Sequence, residues 1–173
     1  MTTMRLAICG PGRSGKGVAS NWLSQHTNLR YTQSTSQAAA ELCYRALKDE
    51  YGYTSVADAW AKRHQYRGAW AETIWQYNEP DGTRLYEEML GENDILDGIR
   101  RARELFACHA KGLIDLSIWI DRPDTVEGTG SMTIRKEHCD IIVPNYDDDA
   151  SMFPKFFFEK LEHLTKALGI YNG

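Results

Sequence analysis

The stretch that most constrains this chain is GPGRSGKG, at positions 10–17. It follows a short apolar run and precedes a segment with helical apolar spacing that reaches Leu23. The spacing G-x-x-x-x-G-K lets a glycine-rich turn leave a buried strand, so that backbone N–H groups and the next helix N-terminus converge on one anion. Lys16 then reaches the outer phosphates of a nucleotide. An ordinary glycine turn with a solvated lysine is the simpler alternative, but strand, loop, lysine and helix coincide here and favour nucleotide binding.

The loop departs from the usual pattern at its end. Gly17 stands where Ser or Thr is usual, and Val18 follows, so no hydroxyl beside Lys16 can ligate Mg²⁺ in the usual way. Ser14, Ser20, an outer carboxylate or water must then hold the metal. We therefore assign no protein ligand to a metal from the sequence.

Composition limits the class of protein. With 173 residues, of which 42% are hydrophobic, the chain can bury one substantial core, and we expect a single α/β domain over 1–173. A net charge of −4 disfavours broad nucleic-acid binding. The 4 cysteines lie far apart, which suggests neither a zinc site nor a redox dithiol but small core residues in a reducing cytosol. No stretch approaches a membrane-spanning length, so we expect a cytoplasmic protein without a membrane partner.

Apolar runs and turn signals predict alternating strands and helices. The predicted strands cover 5–9, 29–32, 94–99, 113–120 and 139–143, which together give a five-stranded parallel sheet. The predicted helices cover 15–24 and 37–48, two or three segments within 51–91, a segment opening at Arg100, and 153–168. In the last of these, Phe156, Phe157, Leu161 and Leu164 are expected to face inward.

Two loops and one insertion are candidate substrate-binding regions. Ser34 or Ser36 can cap the helix at 37–48, and the same loop lies at the carboxyl ends of the strands, where substrates bind. In the insertion at 51–91, Arg63 and Arg67 stand at i, i+4 on one helix face and could bind one phosphate together, although a solvated basic face is the alternative. The polar stretch at 122–137 could form a mobile flap over the nucleotide.

The end of the third strand carries a further set of charges. Arg100 and two more arginines crowd the first turn of the next predicted helix, against the helix dipole, which suggests a phosphate ligand. Glu104, at i+4 from Arg100, could keep it oriented, or the two could form a surface pair of little value. Asp97 could orient Mg²⁺ waters, accept a hydrogen bond from a sugar, or cap the helix.

The chain resembles the nucleoside monophosphate kinases and, more closely, the bacteriophage deoxynucleoside monophosphate kinases. The matching segments are GPGRSGKG, ILDGIRRARE, IWIDRP and SMTIRKEHCDIIVPN, and the helical insertion before the third strand also fits. The resemblance covers both ends of the chain and the third strand. It implies a P-loop kinase fold, a three-layer sandwich with a helical substrate-binding insertion.

The same resemblance implies a reaction: transfer of the γ-phosphoryl group of ATP, with Mg²⁺, to a deoxynucleoside monophosphate. Lys16 would serve the donor phosphates and Arg100 the acceptor phosphate. From the residues and the resemblance together, we assign ATP binding to Gly10, Gly12, Arg13, Ser14, Gly15, Lys16, Gly17, Val18 and Arg122. We likewise assign acceptor binding to Ser34, Arg63, Arg67, Trp70, Asp97, Arg100 and Glu104. Related kinases are often dimers, and a phage enzyme would act in the host cytoplasm.

Two other functions remain open from the sequence. One is a kinase of the same architecture acting on another small acceptor, such as dephospho-coenzyme A or a sugar. The other is a nucleotide-binding module without catalysis, which Gly17 and Val18 favour. A motor or helicase is disfavoured because the chain is short and acidic and lacks a Walker B type of strand end.

Overall fold

The computed structural model describes residues 3–123, 132–146 and 156–173. Within these residues the strands are β1 (Leu6–Cys9), β2 (Ile95–Asp97), β3 (Leu116–Asp121) and β4 (Ile141–Pro144). The helices are α1 (Lys16–His26), α2 (Thr35–Ala38), α3 (Ala40–Tyr51), α4 (Val56–Lys62), α5 (Arg67–Asn78), α6 (Arg84–Met89), α7 (Ala102–Ala110) and α8 (Phe157–Ala167). A 3₁₀ turn covers Lys136–His138.

The strands form one parallel sheet in the order β2-β1-β3-β4. All four residues of β1 are fully buried, as expected for a central parallel strand covered on both faces. Because β1 lies between β2 and β3, the chain leaves Cys9 at the middle of the sheet edge. The glycine-rich loop therefore begins where three strand ends meet.

The predicted fifth strand, at 29–32, is wrong: the described sheet has four strands. This segment runs beside the start of β2, and Asp94 N donates to Arg30 O at 2.8 Å. The return bonds go to side chains instead, since Arg30 N donates to Asp94 Oδ2 at 2.9 Å and Thr32 N to Asn93 Oδ1 at 2.7 Å. Side-chain oxygens thus take the place of the backbone carbonyls that a strand ladder needs.

Two apolar cores cover the two faces of the sheet. Ala7 and Cys9 point into the core that packs against α3 to α7, whereas Leu6 and Ile8 point into the core shared with α1 and α8. This alternation is the period of a strand buried on both sides. The result is a helix–sheet–helix arrangement. None of the described helices has the length and apolar character needed to cross a membrane.

The predicted helices are present, although their bounds and some of their buried positions differ from the predictions. Ser34 does cap the predicted helix: its Oγ accepts from Gln37 N at 3.3 Å, and Gln37 Oε1 accepts from Ser34 N at 2.8 Å. That helix is split at Ala39 into α2 and α3, while the insertion contains three helices and no strand, as predicted. Phe156 is 50% exposed and precedes α8, so its predicted inward position is wrong, whereas Phe157 is buried. Half of the predicted flap, residues 124–131, lies outside the described residues.

Candidate active site

The glycine-rich loop has a backbone that glycine permits and that exposes the start of α1. Gly10 and Gly15 have φ of +148° and +101°, and a Cβ on Gly10 would lie 2.7 Å from Ile120 O. Gly15 is the N-cap of α1 and provides no side-chain cap, and the first turn contains no acidic residue. The first N–H groups of α1 and the positive end of its dipole are therefore available to an anion. This end of the helix can therefore accept an anionic group such as a phosphate.

Lys16 folds back over the loop. Its Nζ donates to Pro11 O at 2.7 Å. Burial is the main cause that lowers the pKa of Lys16. The positive charges of Arg100 and Arg67 lower this pKa further, and the Asp97 carboxylate raises it. An ammonium group that is short of negative partners gains from an incoming phosphate.

Asp97 is the carboxylate that faces the loop. It ends β2, and its Oδ2 accepts from Tyr31 Oη at 3.0 Å and Ser20 Oγ at 3.4 Å. Burial raises the pKa of Asp97, and Lys16 and these two hydroxyls oppose the shift. Val18, in contrast, is 45% exposed. A Cβ on Gly17 would lie 3.9 Å from Asp97 Oδ2, so this carboxylate lies near the position where the usual loop hydroxyl would be.

The described residues contain no cluster of three or more acidic, histidine or cysteine side chains able to hold a metal by themselves. Mg²⁺ usually keeps several waters and binds one or two carboxylates together with substrate phosphates. Asp97 fits that limited role.

The cleft beside the loop consists of two adjoining depressions of about 200 and 560 Å³. The residues that line both are Arg13, Lys16, Ser34, Trp60, Arg63 and Asp97. Arg67, Trp70 and Arg100 line the first depression, and Gly17, Val18 and Arg122 line the second. The structure thus brings most of the sequence-predicted site residues to one cleft.

Arg63 and Arg67 reach the cleft from two helices, which corrects the expectation that they share one helix face. Arg63 follows α4 and stacks on Trp60, with Cζ 3.5 Å from the ring centroid. Arg67 begins α5, and one guanidinium nitrogen lies 2.8 Å from His64 Nδ1. A Cβ on Gly12 would lie 2.9 Å from Arg67 Nη1, so Arg67 lies directly against the loop.

Arg100 closes the other side of the cleft. It lies before α7, which begins at Ala102 and not at Arg100 as predicted. Its carbonyl accepts from Thr133 N and Ile134 N at 3.0 and 3.1 Å. Burial, and then Arg67, lower the pKa of Arg100. The positive charges of Arg67 and Arg100 repel each other in this partly buried cleft, so an anionic ligand between them would be stabilised.

Glu104 does not orient Arg100, contrary to the sequence expectation. It is 2% exposed, and its two carboxylate oxygens accept from Asn78 Nδ2 at 2.8 Å and Tyr86 Oη at 2.9 Å. It ties α7 to α5 and α6 behind the cleft. Trp70 is also largely structural, since it is buried and its Nε1 donates to Tyr53 Oη at 3.3 Å.

Sequence reasoning missed Trp60, His64 and Tyr31. The signal for the first two was the basic and aromatic composition of the insertion, which did not tell which members face the cleft. Tyr31 lay in the segment predicted as a strand, and only its contact with Asp97 reveals a role.

No protein-family model matches the chain, and no curated protein matches it. Among solved structures, the chain is similar to the unliganded crystal structure of a sugar kinase from Janibacter sp. HTCC2649. The TM-score is 0.48 and the identity 14%, over 98% of this chain and 96% of that chain.

Proposed function

We propose that this protein transfers the γ-phosphoryl group of ATP to a deoxynucleoside monophosphate and releases the diphosphate. The observation that carries the proposal is a cleft lined by the glycine-rich loop and Lys16 and, beside them, by the three guanidinium groups of Arg63, Arg67 and Arg100. Such a cleft can hold two phosphate groups against each other. Phosphoryl transfer depends mainly on positioning and on positive charge of this kind.

The loop provides the donor half of the site. ATP phosphates would accept from the N–H groups at the start of α1 and would replace Pro11 O as the partner of Lys16 Nζ. Arg13 and Arg122, which line the neighbouring depression, would lie beside the nucleotide. Mg²⁺ would neutralise charge on the β- and γ-phosphates, and Asp97 would hold its water ligands.

The acceptor half favours a phosphate monoester over a sugar. A monophosphate oxygen is already anionic at neutral pH, so its attack needs no general base. A sugar hydroxyl would need one, and the described lining residues of both depressions offer only Asp97 and His64. The Nδ1 of His64 accepts from a guanidinium nitrogen of Arg67 at 2.8 Å, so its other ring nitrogen carries the proton and neither can act as a base. Asp97 lies on the loop side, hydrogen-bonded to Tyr31 and Ser20. The guanidinium groups instead suit a dianionic acceptor phosphate.

The nucleoside part of the acceptor rests on the resemblance, supported by Trp60, which lines both depressions. A cytoplasmic location and a homodimer belong to the same proposal. The net charge of −4 supports a small-molecule substrate in preference to a nucleic acid.

The test is a coupled assay of ADP release with each deoxynucleoside monophosphate. We expect turnover with at least one of them. Lys16→Met should lower kcat by about 10²–10³ fold, because it removes a charge directed at the transferred group. Lys48→Met, at an exposed position on α3, is the matched control and should leave turnover unchanged. Absence of turnover with every monophosphate, or near-normal turnover of Lys16→Met, would refute the proposal.

The same assay separates the two alternatives. Turnover with a sugar or dephospho-coenzyme A, and with no nucleoside monophosphate, would assign another acceptor. ATP binding shown by a rise in melting temperature, without turnover of any acceptor, would assign a non-catalytic module.

A further inference from the structure

The end of β4 contacts the glycine-rich loop through one side chain. Asn145 directly follows β4 and is buried, and its Nδ2 donates to Ser14 O at 2.7 Å. Its own N–H donates to Asp121 O at the end of β3, also at 2.7 Å. The carboxamide is therefore fixed by the sheet on one side and bonded to the loop on the other.

Gly15 packs against this carboxamide. A Cβ on Gly15 would lie 2.5 Å from Asn145 Nδ2, so a larger residue would displace the amide. Because a trans peptide is planar, the Gly15 N–H points opposite to Ser14 O. The hydrogen bond from Asn145 to Ser14 O therefore turns the Gly15 N–H away from β4. Gly15 is one of the residues that line the depression proposed to bind the donor.

Helix α8 supports the same segment. Lys160 Nζ lies 3.3 Å from both Pro144 O and Tyr146 O, the carbonyls on either side of Asn145. Phe157 Cε1 would lie 3.9 Å from a Cβ on Gly15. The loop is therefore supported from behind by residues that come last in the chain.

We propose that Asn145 is a positioning residue for the nucleotide, one that keeps the Ser14–Gly15 peptide in the orientation that binds phosphate. This inference rests on the proposed function. Ser14 is fully buried, so without the amide its carbonyl would lose a hydrogen-bond partner, and rotation of the peptide would turn the Gly15 N–H away from the phosphates. Asn145 acts through the loop and takes no part in the chemistry.

The test is Asn145→Asp, which keeps size and shape but places a carboxylate oxygen against Ser14 O. The dissociation constant of ATP, measured by calorimetry without acceptor, should rise about tenfold or more, the effect of one buried hydrogen bond. The KM for the acceptor monophosphate should stay within about twofold, since the proposed acceptor residues Arg63, Arg67 and Arg100 are not bonded to Asn145. When the pH is lowered and the introduced carboxyl takes up a proton, it can donate again, so the affinity ratio of variant to wild type should return toward one.

Two further variants keep the test decisive. Asn172→Asp changes an exposed asparagine whose Nδ2 donates to Asn28 Oδ1, and it should leave ATP binding unchanged. Lys160→Met removes the support behind Asn145 without altering it and should weaken ATP binding by a smaller factor. If Asn145→Asp does not fold, this variant decides the question.

The outcomes separate this inference from the proposed function. Failure of the wild type to bind ATP would overturn the proposed function. If the wild type binds ATP and Asn145→Asp binds it equally well, only the role of Asn145 would be overturned. If Asn145→Asp is unfolded, equal ATP affinity in a folded Lys160→Met would overturn it instead. Equal loss of ATP and acceptor affinity, with no recovery at low pH, would also overturn it, because it would show a general structural effect.

Discussion

The pKa of His64 is sensitive to four neighbouring guanidinium groups. Burial is the largest cause that lowers the pKa of this imidazole, and Arg63, Arg67, Arg13 and Arg100 lower it further. A phosphate dianion among these arginines would offset their charge, so the pKa of His64 should rise when the acceptor monophosphate binds. A titration of the His64 ring signals by NMR, with and without the monophosphate, measures this shift.

His163 is the control for that titration, because it is exposed on α8 and lines neither depression. Its ring signals should not respond to the ligand. An unchanged or lower pKa of His64 in the complex would place the acceptor phosphate elsewhere.

Thr35 has a buried hydroxyl without a partner among the described residues, and it is 2% exposed. Thr35→Val removes this unsatisfied group and preserves the shape. The free energy of unfolding should therefore stay within about 0.5 kcal/mol of the wild type or increase. Urea denaturation measures the change.

Thr27 is the matched comparison, because its Oγ1 donates to Leu23 O at 2.6 Å and accepts from Leu29 N at 3.1 Å. Thr27→Val should cost about 1–3 kcal/mol, since it leaves buried backbone groups unpaired. A larger loss at Thr35 than at Thr27 would show that the Thr35 hydroxyl is bonded in the folded protein.

At the scale of elements, the extended segment at 29–32 is held to β2 mainly by Asp94. Its carboxylate, 3% exposed, pairs with the Arg30 guanidinium, and hydrogen bonds from Arg30 hold the pKa of Asp94 below its usual range. A lowered pKa in the folded state adds stability above the unfolded pKa of about 3.9, and this stability is lost as the pH falls through the lower folded value.

Asp94→Asn should therefore be less stable than the wild type at pH 7, and the difference should shrink as the pH falls below about 4. Denaturant unfolding across this range measures it. Asp49→Asn, at an exposed position on α3, should show no such trend. A difference that stays constant with pH would mean that packing, and not charge, explains the effect of Asp94.

At the scale of the molecule, a positive cleft stands in a protein with a net charge of −4. Inorganic pyrophosphate should therefore bind the cleft and raise the melting temperature, with a gain of about 2.7 kcal/mol at a concentration a hundredfold above its dissociation constant. Sodium chloride of equal ionic strength should not reproduce the gain. Thermal unfolding monitored by circular dichroism measures both.

Arg100→Leu should reduce the gain from pyrophosphate, because it removes one of the positive charges that line the cleft. Arg45→Leu, at a position on α3 where the side chain is 74% exposed, should keep it. An equal response of both variants would indicate that the anion acts without using the cleft.

The sequence predicted β1, the loop and α1 well, because a short apolar run, glycines at fixed spacing and helical periodicity are local signals. It failed at 29–32, where the apolar and β-branched composition suits a strand. What decides against a strand there is the pair Asn93 and Asp94, whose side chains take the backbone donors of that segment. Such competition depends on residues about sixty positions away and leaves no local pattern.

By itself the sequence determined that a glycine-rich loop joins the first strand to a helix, since the apolar run, the glycine spacing and the helical periodicity lie within neighbouring residues. Only the tertiary structure decided which of two nearby carboxylates serves the cleft. Asp97 faces Lys16 and the loop. Glu104 instead accepts hydrogen bonds from Asn78 and Tyr86, because α5 and α6 pack against α7 there. It also brought Asn145 to Ser14, 131 positions earlier, because parallel strands collect their carboxyl ends at one edge of the sheet.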